Sequence, residues 1–440
     1  MKSPKGYRRS GYRPPWLWRR PLAPLWLRPW YDDLATLGVA RLHLPLSRAW
    51  AAAEAEQGAA LARHVAAEAA WQAAAFAETA PEPSVFARLE RDRRRAAAAW
   101  MGRRLRHPGA LAGGPAAAFE IVPPDAVEAG QAARLAAPDA AFPLPSAAVE
   151  VSHDLPHAGG SGGGSSAWLR FPTATDPTSC GPISSGGLAW ARLERPAGAI
   201  KGTLIALHGI CIEADFWPPT PDYSLQALAA GWQVLRLEAP WHGRRRLPGR
   251  YGGEPLFAQG PAGFLEFLQL AVPELAVWTA WARRATPTPG PVVWSGISLG
   301  ALTAQKAVEA ARHWPEENRP DALLLIATAA YIGQATLGGS LGRLLRLRPR
   351  LQAAGWTEQA LARWAPLLNP QEGPALPAER IRLLLGSADK LLPFAQGAAL
   401  ARLWNLPSER VTVRRQGHFS VSLGLLADPA PLLDLLQEME

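Results

Sequence analysis

The chain has few cysteines, no long hydrophobic run and no acidic residue among its first 30 positions. Its two cysteines, Cys180 and Cys211, are too few for a disulfide framework and lack the spacing of a metal site. A reducing, cytoplasmic compartment is therefore expected. No stretch of 18 or more apolar residues occurs, which argues against a membrane-spanning helix. Arginines and prolines interrupt the N-terminal segment, so the unbroken apolar core of a secretory signal is absent.

Positive charge is concentrated at the N-terminus. The formal net charge is +9, and eight lysines and arginines lie in the first 30 residues, so the rest of the chain is nearly neutral. Because no basic face extends over the body, we expect no nucleic-acid partner. Prolines and tryptophans between the cations predict an irregular tail over residues 1–31 that could contact an anionic membrane surface. A tail without function is the alternative.

Composition divides the remaining chain into three segments. Residues 47–79 and 84–107 are Ala-rich and predict helices, so residues 32–107 are interpreted as a helical extension. Residues 108–179 contain a Gly/Ser tract at 159–166. They predict a linker that could include the first strands. From residue 180 to residue 440, short β-rich runs alternate with helical stretches, which is typical of an α/β domain.

Several runs in this domain are continuously apolar, as buried parallel strands are. The predicted strands are 188–193, 202–207, 233–238, 292–295, 323–328, 381–385 and 410–414. The predicted helices between and after them are 225–230, 263–284, 299–313, 396–404 and 431–439. The segment 331–377 is too long for a simple connection and predicts a helical cap inserted over the sheet.

A G-x-S-x-G pattern at residues 296–300 indicates a nucleophilic serine, Ser298. In this pattern glycines permit a tight strand-to-helix turn that exposes the hydroxyl. The bare pattern also occurs around Ser161 and Ser340. Only Ser298 follows a predicted buried strand and opens a predicted helix; Ser161 lies in the Gly/Ser tract and Ser340 in the predicted cap, where a helix N-cap is the simpler interpretation.

The order along the chain then identifies an acid and a base. In this arrangement the acid follows the nucleophile, and the base follows the acid. Only His313 and His418 come after Ser298. His313 ends the helix after the serine, whereas His418 follows a predicted strand in a loop, where a base is needed. Asp389 follows the strand before that one and could hold the imidazole tautomer, although an ordinary turn aspartate is the alternative.

A developing oxyanion requires hydrogen-bond donors. The backbone N–H of Leu299 is the first candidate. The second is the N–H of Ile210, in the loop that follows the strand 202–207. His208 in that loop is interpreted mainly as a structural support, and Cys211 as a small buried residue.

The loop after the strand 233–238 contains three consecutive arginines. Such a cluster could bind an anionic substrate group, although a solvated charge run is the simpler interpretation. The candidate substrate-binding residues are His208, Gly209, His242, Arg244 and Arg245.

Together, His208-Gly209, the pattern at 296–300, Asp389 and His418 resemble the α/β-hydrolase superfamily over residues 180–440. The resemblance implies a mostly parallel eight-stranded sheet with helices on both faces, ester or thioester substrates, and no cofactor or metal. It also implies that Ser298, Asp389 and His418 form the catalytic triad. The loop 239–245, with the following 249–257, is similar to the subfamily related to α/β-hydrolase domain-containing protein eighteen, which suggests acyl lipids.

The predicted function is therefore a serine hydrolase that cleaves a small-molecule or lipid ester through an acyl-enzyme. Two alternatives stay open at this point. One is an acyltransferase that uses the same three residues. The other is a non-catalytic scaffold of the same fold that binds a membrane or a partner.

Overall fold

The computed structural model of the chain describes residues 28–42, 58–104, 119–156, 164–173, 187–212, 222–247, 252–285 and 290–440. These residues form ten strands of one sheet, with helices on both faces. The strands are β1 Glu150–Val151, β2 Leu155–Pro156, β3 Ser165–Pro172, β4 Leu188–Arg195, β5 Thr203–Leu207, β6 Gln233–Glu238, β7 Val292–Ile297, β8 Ala322–Ile326, β9 Ile381–Gly386 and β10 Val411–Arg414.

The strand order across the sheet is β1-β3-β4-β6-β5-β7-β8-β9-β10, and β2 also pairs with β3. The run from β6 to β10 is parallel throughout, whereas β4 is antiparallel to both of its neighbours, β3 and β6. The expected mostly parallel sheet is confirmed. Within the described residues, eight strands have four or more residues, as expected, and the two-residue strands β1 and β2 extend the antiparallel edge.

The helices of the described chain are as follows. They are α1 Pro29–Leu42, α2 Gly58–Ala75, α3 Pro83–Arg104, α4 Pro124–Ala136, α5 Leu225–Ala229, α6 Glu254–Ala258, α7 Pro261–Arg284, α8 Leu299–Ala310, α9 Ile332–Gly338, α10 Ser340–Leu344, α11 Leu347–Ala353, α12 Glu358–Arg363, α13 Ala365–Leu368, α14 Phe394–Leu403, α15 His418–Ala427 and α16 Ala430–Gln437.

Alternation along the central strands builds an apolar core on each face of the sheet. In β5, Leu204 belongs to the core that α5, α15 and α16 cover, and Ile205 to the core that α7 and α8 cover. In β7, Val293 belongs to the same core as Leu204, and Trp294 to the same core as Ile205. Because both faces are covered, these strands are apolar at consecutive positions, which explains the continuous runs in the sequence.

Helices α2 and α3 of the N-terminal extension pack against the antiparallel edge of the sheet. Trp71 of α2 and Phe86 of α3 form a buried cluster with Trp168 of β3 and Trp190 of β4. Helices were expected over 47–79 and 84–107, and α2 and α3 are their described parts. The helix α1 was not among the individual helices predicted; it begins at Pro29, inside the segment predicted to be irregular, and continues into the segment 32–107 that was interpreted as a helical extension. Residues 1–27 of that tail lie outside the described residues.

The sheet begins at Glu150, since β1, β2 and β3 lie in the segment 108–179, which was expected to be a linker that could include the first strands. β3 starts within the Gly/Ser tract, of which residues 159–163 lie outside the described residues. The predicted division into domains otherwise stays a prediction. Between β8 and β9, the segment predicted as a helical cap forms five short helices, α9 to α13.

No helix in the described part of the chain is by itself long and apolar enough to cross a membrane. Together, the helices α15 and α16, which meet at a bend of 62°, have the length and composition of a membrane span.

Candidate active site

Ser298 lies at the sharp turn between β7 and α8. Its backbone has φ 54° and ψ −116°, a conformation that residues other than glycine rarely adopt. The turn is held because Ser298 N–H donates to the Ile326 carbonyl of the neighbouring strand, at 2.9 Å. Strain of this kind persists only where the surrounding structure imposes it, and it is concentrated at functional sites.

The glycines of the pattern are required for space. A Cβ on Gly296 would lie 2.4 Å from the Gly300 carbonyl oxygen, and a Cβ on Gly300 would lie 2.4 Å from the Leu207 carbonyl oxygen. Neither glycine has a positive φ. The strand-to-helix turn therefore depends on two positions without side chains, one on each side of Ser298.

The structure brings the three predicted side chains together in one hydrogen-bonded line, here named the triplet. Nε2 of His418 lies 2.9 Å from Oγ of Ser298, and Nδ1 of His418 lies 2.8 Å from Oδ2 of Asp389. Because a carboxylate accepts, Nδ1 carries the proton and donates it to Asp389. The lone pair of Nε2 is then left to accept the serine O–H. All three side chains are buried, at 5–7% exposure.

The other carboxylate oxygen of Asp389 is held by backbone amides. Oδ1 accepts from Leu391 N–H and Leu392 N–H, both at 2.9 Å. These bonds fix the carboxylate in the plane that faces His418. Sequence reasoning placed Asp389 but missed this support, although an aspartate that bonds amides two and three residues later is a common turn pattern.

The two predicted oxyanion donors lie in segments that border Ser298. Leu299 is the first residue of α8, so its N–H points out of the helix N-terminus. Gly209, which precedes Ile210, is so close that a Cβ on it would lie 3.5 Å from Cβ of Ser298. Neither the Leu299 nor the Ile210 amide donates a hydrogen bond to any residue within the described ranges. Their role as oxyanion donors stays a prediction.

His208 and His242 support the loops around Ser298. His208 donates from Nδ1 to the Gly209 carbonyl at 2.7 Å and accepts Ala239 N–H at Nε2, at 3.2 Å. His242 donates from Nδ1 to the Pro240 carbonyl at 2.8 Å and accepts Cys211 N–H at Nε2, at 3.3 Å. Both rings are neutral, because burial lowers the pKa of His208 and lowers the pKa of His242 well below its usual range.

The structure engages the candidate substrate-binding residues His242, Arg244 and Arg245 with groups of the protein itself, and their contact with substrate stays a prediction. His242 is fully buried and uses both ring nitrogens. Arg244, with its side chain 6% exposed, donates to Glu68 at 2.8 Å and to Glu238 at 2.7 Å.

Arg245 forms two bonds of 2.7 Å to Glu274. Carboxylates already neutralise both arginines, and these ion pairs join the loop to α2, β6 and α7. Both ring nitrogens of His208 likewise form hydrogen bonds within the protein. Gly209, another candidate binding residue, lies beside Ser298.

Of the two competing serines, Ser340 lies within the described residues. Ser340 begins α10, and its buried hydroxyl has no hydrogen-bond partner among the described residues. Ser161 lies outside the described residues, as does Cys180. Cys211 is buried, 7% exposed. No three His, Cys, Asp or Glu side chains come together as a metal site in the described part of the chain.

No family model matches the sequence, and no curated protein matches it. Among solved structures, an acetyl xylan esterase from Paenibacillus sp. R4 is similar, with 15% identity, a TM-score of 0.48 and coverage of 71% of this chain and 95% of that chain. An acetyl xylan esterase from Thermoanaerobacterium sp. has 14% identity, a TM-score of 0.42 and coverage of 69% and 95%. An esterase from Pyrococcus furiosus has 12% identity, a TM-score of 0.39 and coverage of 62% and 92%. On its own strand order and its strained serine turn, the chain has the α/β-hydrolase fold.

Proposed function

We propose that the chain is a serine hydrolase that cleaves carboxylic esters or thioesters through an acyl-enzyme. The observation that carries the proposal is the triplet, in which Ser298 Oγ, the His418 ring and Asp389 are joined by bonds of 2.9 and 2.8 Å. A serine hydroxyl becomes a nucleophile when an adjacent base accepts its proton. His418, held in one tautomer by Asp389, is such a base.

The reaction follows from these contacts. Ser298 Oγ attacks the carbonyl carbon while Nε2 of His418 takes its proton, and the carbonyl oxygen becomes an oxyanion held by the Leu299 and Ile210 amides. Collapse of this intermediate breaks the ester bond, and His418 returns the proton to the departing alcohol or thiol. Water, deprotonated by the same nitrogen, then attacks the acyl-enzyme. The acid leaves, and Ser298 recovers its proton.

A fluorophosphonate probe and a p-nitrophenyl ester test this proposal. The wild type should be labelled at Ser298 and should release free acid without added alcohol. Ser298→Ala should abolish labelling and lower turnover by at least about 10⁴-fold. Ser340→Ala is the matched control, because it removes the serine of a competing pattern, and it should behave as the wild type. A folded wild type that is neither labelled nor active would support the scaffold, and turnover only with an added alcohol would support an acyltransferase.

We further propose that the substrate is an acyl lipid and that the protein works at an anionic, cytoplasmic membrane surface. The helix α1 exposes Trp30, Leu34 and Leu37, at 43–57% exposure, on one face, because their spacings of four and three residues are helical. All eight cations of the first 30 residues precede this helix, and the last of them is Arg28. Basic segments beside an apolar helix face are typical of proteins that bind anionic lipid. The similarity of the loop 239–245 to the subfamily related to α/β-hydrolase domain-containing protein eighteen also suggests acyl lipids.

Vesicle binding tests the lipid proposal. Full-length protein should co-sediment with vesicles that contain phosphatidylserine, less so in high salt, and only weakly with neutral phosphatidylcholine vesicles. A full-length variant with the eight N-terminal cations changed to glutamine should lose this binding while its turnover of a water-soluble ester is unchanged. Equal binding of the variant and the wild type would contradict the proposal. A preference for short acyl chains in an ester panel would contradict the lipid substrate.

A further inference from the structure

The helix α1 reaches the N-terminus of α15, where His418 is the first residue. The Asp32 side chain, 6% exposed, accepts Phe419 N–H at 2.6 Å and Ser420 N–H at 3.0 Å on Oδ1. Its Oδ2 accepts the Ser420 hydroxyl at 2.5 Å. That hydroxyl in turn accepts Gly417 N–H at 2.8 Å. A carboxylate distant in sequence therefore caps the helix that carries His418.

The glycine before His418 leaves room for this carboxylate. A Cβ on Gly417 would lie 2.4 Å from Cγ of Asp32 and 2.6 Å from its Oδ2. The φ of Gly417 is −95°, which any residue adopts, so backbone conformation does not require glycine here. Close approach of Asp32 is the physical reason for a glycine at this position.

The neighbouring acid of the same helix has a different environment. Asp33 pairs with Lys390 at 2.9 Å, and both side chains are 57% exposed. Exposed pairs of this kind contribute little to stability. Asp32 and Asp33 therefore form a natural comparison: adjacent carboxylates of one helix, one buried against the residues after His418 and one in solvent.

We propose that Asp32 is a positioning residue that holds His418 in line with Ser298 and Asp389. This inference rests on the proposed hydrolase function. Three hydrogen bonds from the two residues after His418 end on one buried carboxylate, so the start of α15 has a single orientation. Proton transfer requires the imidazole to be placed precisely, and a displacement of about 1 Å can cost about 10²-fold in rate. The N-terminal extension is thereby a part of the reacting centre's support.

Kinetics per active site test the proposal, with sites counted by fluorophosphonate labelling. Asp32→Ala should lower kcat by about 10- to 100-fold and change KM by less than about 2-fold, since Asp32 does not touch substrate. Asp32→Asn should lose less, because its amide oxygen still accepts the Phe419 and Ser420 amides. Asp33→Asn, the matched control, should keep the wild-type values. A wild-type kcat per labelled site in Asp32→Ala would overturn the proposal, even if that variant were less stable.

A double substitution tests the route through Gly417. Gly417→Ala should lower kcat because its Cβ displaces Asp32. In the Asp32→Ala background the same substitution should have little further effect, since the obstructing carboxylate is gone. Full additivity of the two substitutions would contradict the proposed contact.

Amide hydrogen exchange separates this inference from the proposed function. In Asp32→Ala the amides of residues 419 and 420 should exchange faster than in Asp33→Asn. If the wild type cleaves no ester, the hydrolase proposal fails, and exchange still decides whether Asp32 holds this segment. Unchanged exchange at both amides would overturn the positioning role.

Discussion

Two glycines beside Ser298, Gly296 and Gly300, have no room for a side chain. Gly300 packs against the carbonyl oxygens of Leu207 and His208, which a Cβ would approach to 2.4 and 2.8 Å. These carbonyls belong to β5 and to the loop after it, so they cannot move without shifting the centre of the sheet. Gly333 in α9 differs, because a Cβ there would meet no atom within 4 Å.

We predict opposite effects at these two glycines. Gly300→Ala should destabilise the protein by about 3 kcal/mol and abolish probe labelling, because the strand-to-helix turn must open. Gly333→Ala should leave labelling intact and stabilise α9 by about 0.5–1 kcal/mol. Denaturant unfolding and fluorophosphonate labelling of both variants measure the two effects. Normal labelling of a stable Gly300→Ala protein would contradict the geometry.

Asp389 allows a test of the tautomer. In Asp389→Asn, the amide oxygen would remain on the Leu391 and Leu392 amides, so the NH₂ group would face His418. Nδ1 would then have to accept, and Nε2 would carry the proton and no longer receive that of Ser298. We expect kcat to fall by about 10⁴-fold with little change in Tm. A variant that keeps a tenth of the wild-type kcat would show that Asp389 has no such role.

At the scale of elements, α2 is joined to the sheet edge by buried charge. The Arg244 guanidinium lies 3.7 Å from the centroid of the Trp168 ring and bonds Glu68 of α2. Burial alone would raise the pKa of Glu68, but Arg244 and Arg93 lower it below its usual value. The charged form is thus favoured in the folded protein, and α2 depends on it.

Replacing Glu68 should therefore loosen this junction. Glu68→Gln should lower the free energy of unfolding by about 2 kcal/mol, because it removes a charged acceptor while Arg244 stays mostly buried. Glu128→Gln breaks the exposed pair with Arg363 and should change the free energy of unfolding by less than about 1 kcal/mol. Urea unfolding of the two variants makes the comparison. Equal effects would mean that the buried cluster contributes no more than a surface pair.

At the scale of the whole molecule, the buried histidines predict a loss of stability in mild acid. The pKa of His242 is lowered by burial, and by the neighbouring His208 and Arg245. Above pH 6.5 the ring is neutral in both the folded and the unfolded chain, so it adds no pH dependence. As the pH falls below 6.5, the unfolded chain binds a proton that the folded protein cannot accept, and stability decreases by up to about 1.4 kcal/mol per pH unit.

His242→Gln tests this dependence. Between pH 7.5 and 5.5 the variant should lose about 1 kcal/mol less stability than the wild type, although it is less stable at pH 7.5. Chemical denaturation at several pH values gives the slopes. Parallel curves for wild type and His242→Gln would exclude His242 as the source.

The sequence predicted the triplet because each member follows a strand of a parallel sheet. Ser298, Asp389 and His418 come after β7, β9 and β10, and carboxyl ends of parallel strands share one edge of the sheet. The arginine loop could not be interpreted in the same way. Arg244 and its partner Glu68 are 176 positions apart, so a buried network and a solvated charge run have the same local pattern.

Local pattern by itself determined the strands, most helices and the order of the reacting groups, because periodicity and turn residues act over a few positions. Only the tertiary structure decided that α1 forms, that Asp32 caps the His418 helix, and that the arginines of the loop are buried against carboxylates. These contacts join residues hundreds of positions apart, such as Asp32 and Ser420. Their free energy comes from burial and charge pairing, which no local stretch of sequence encodes.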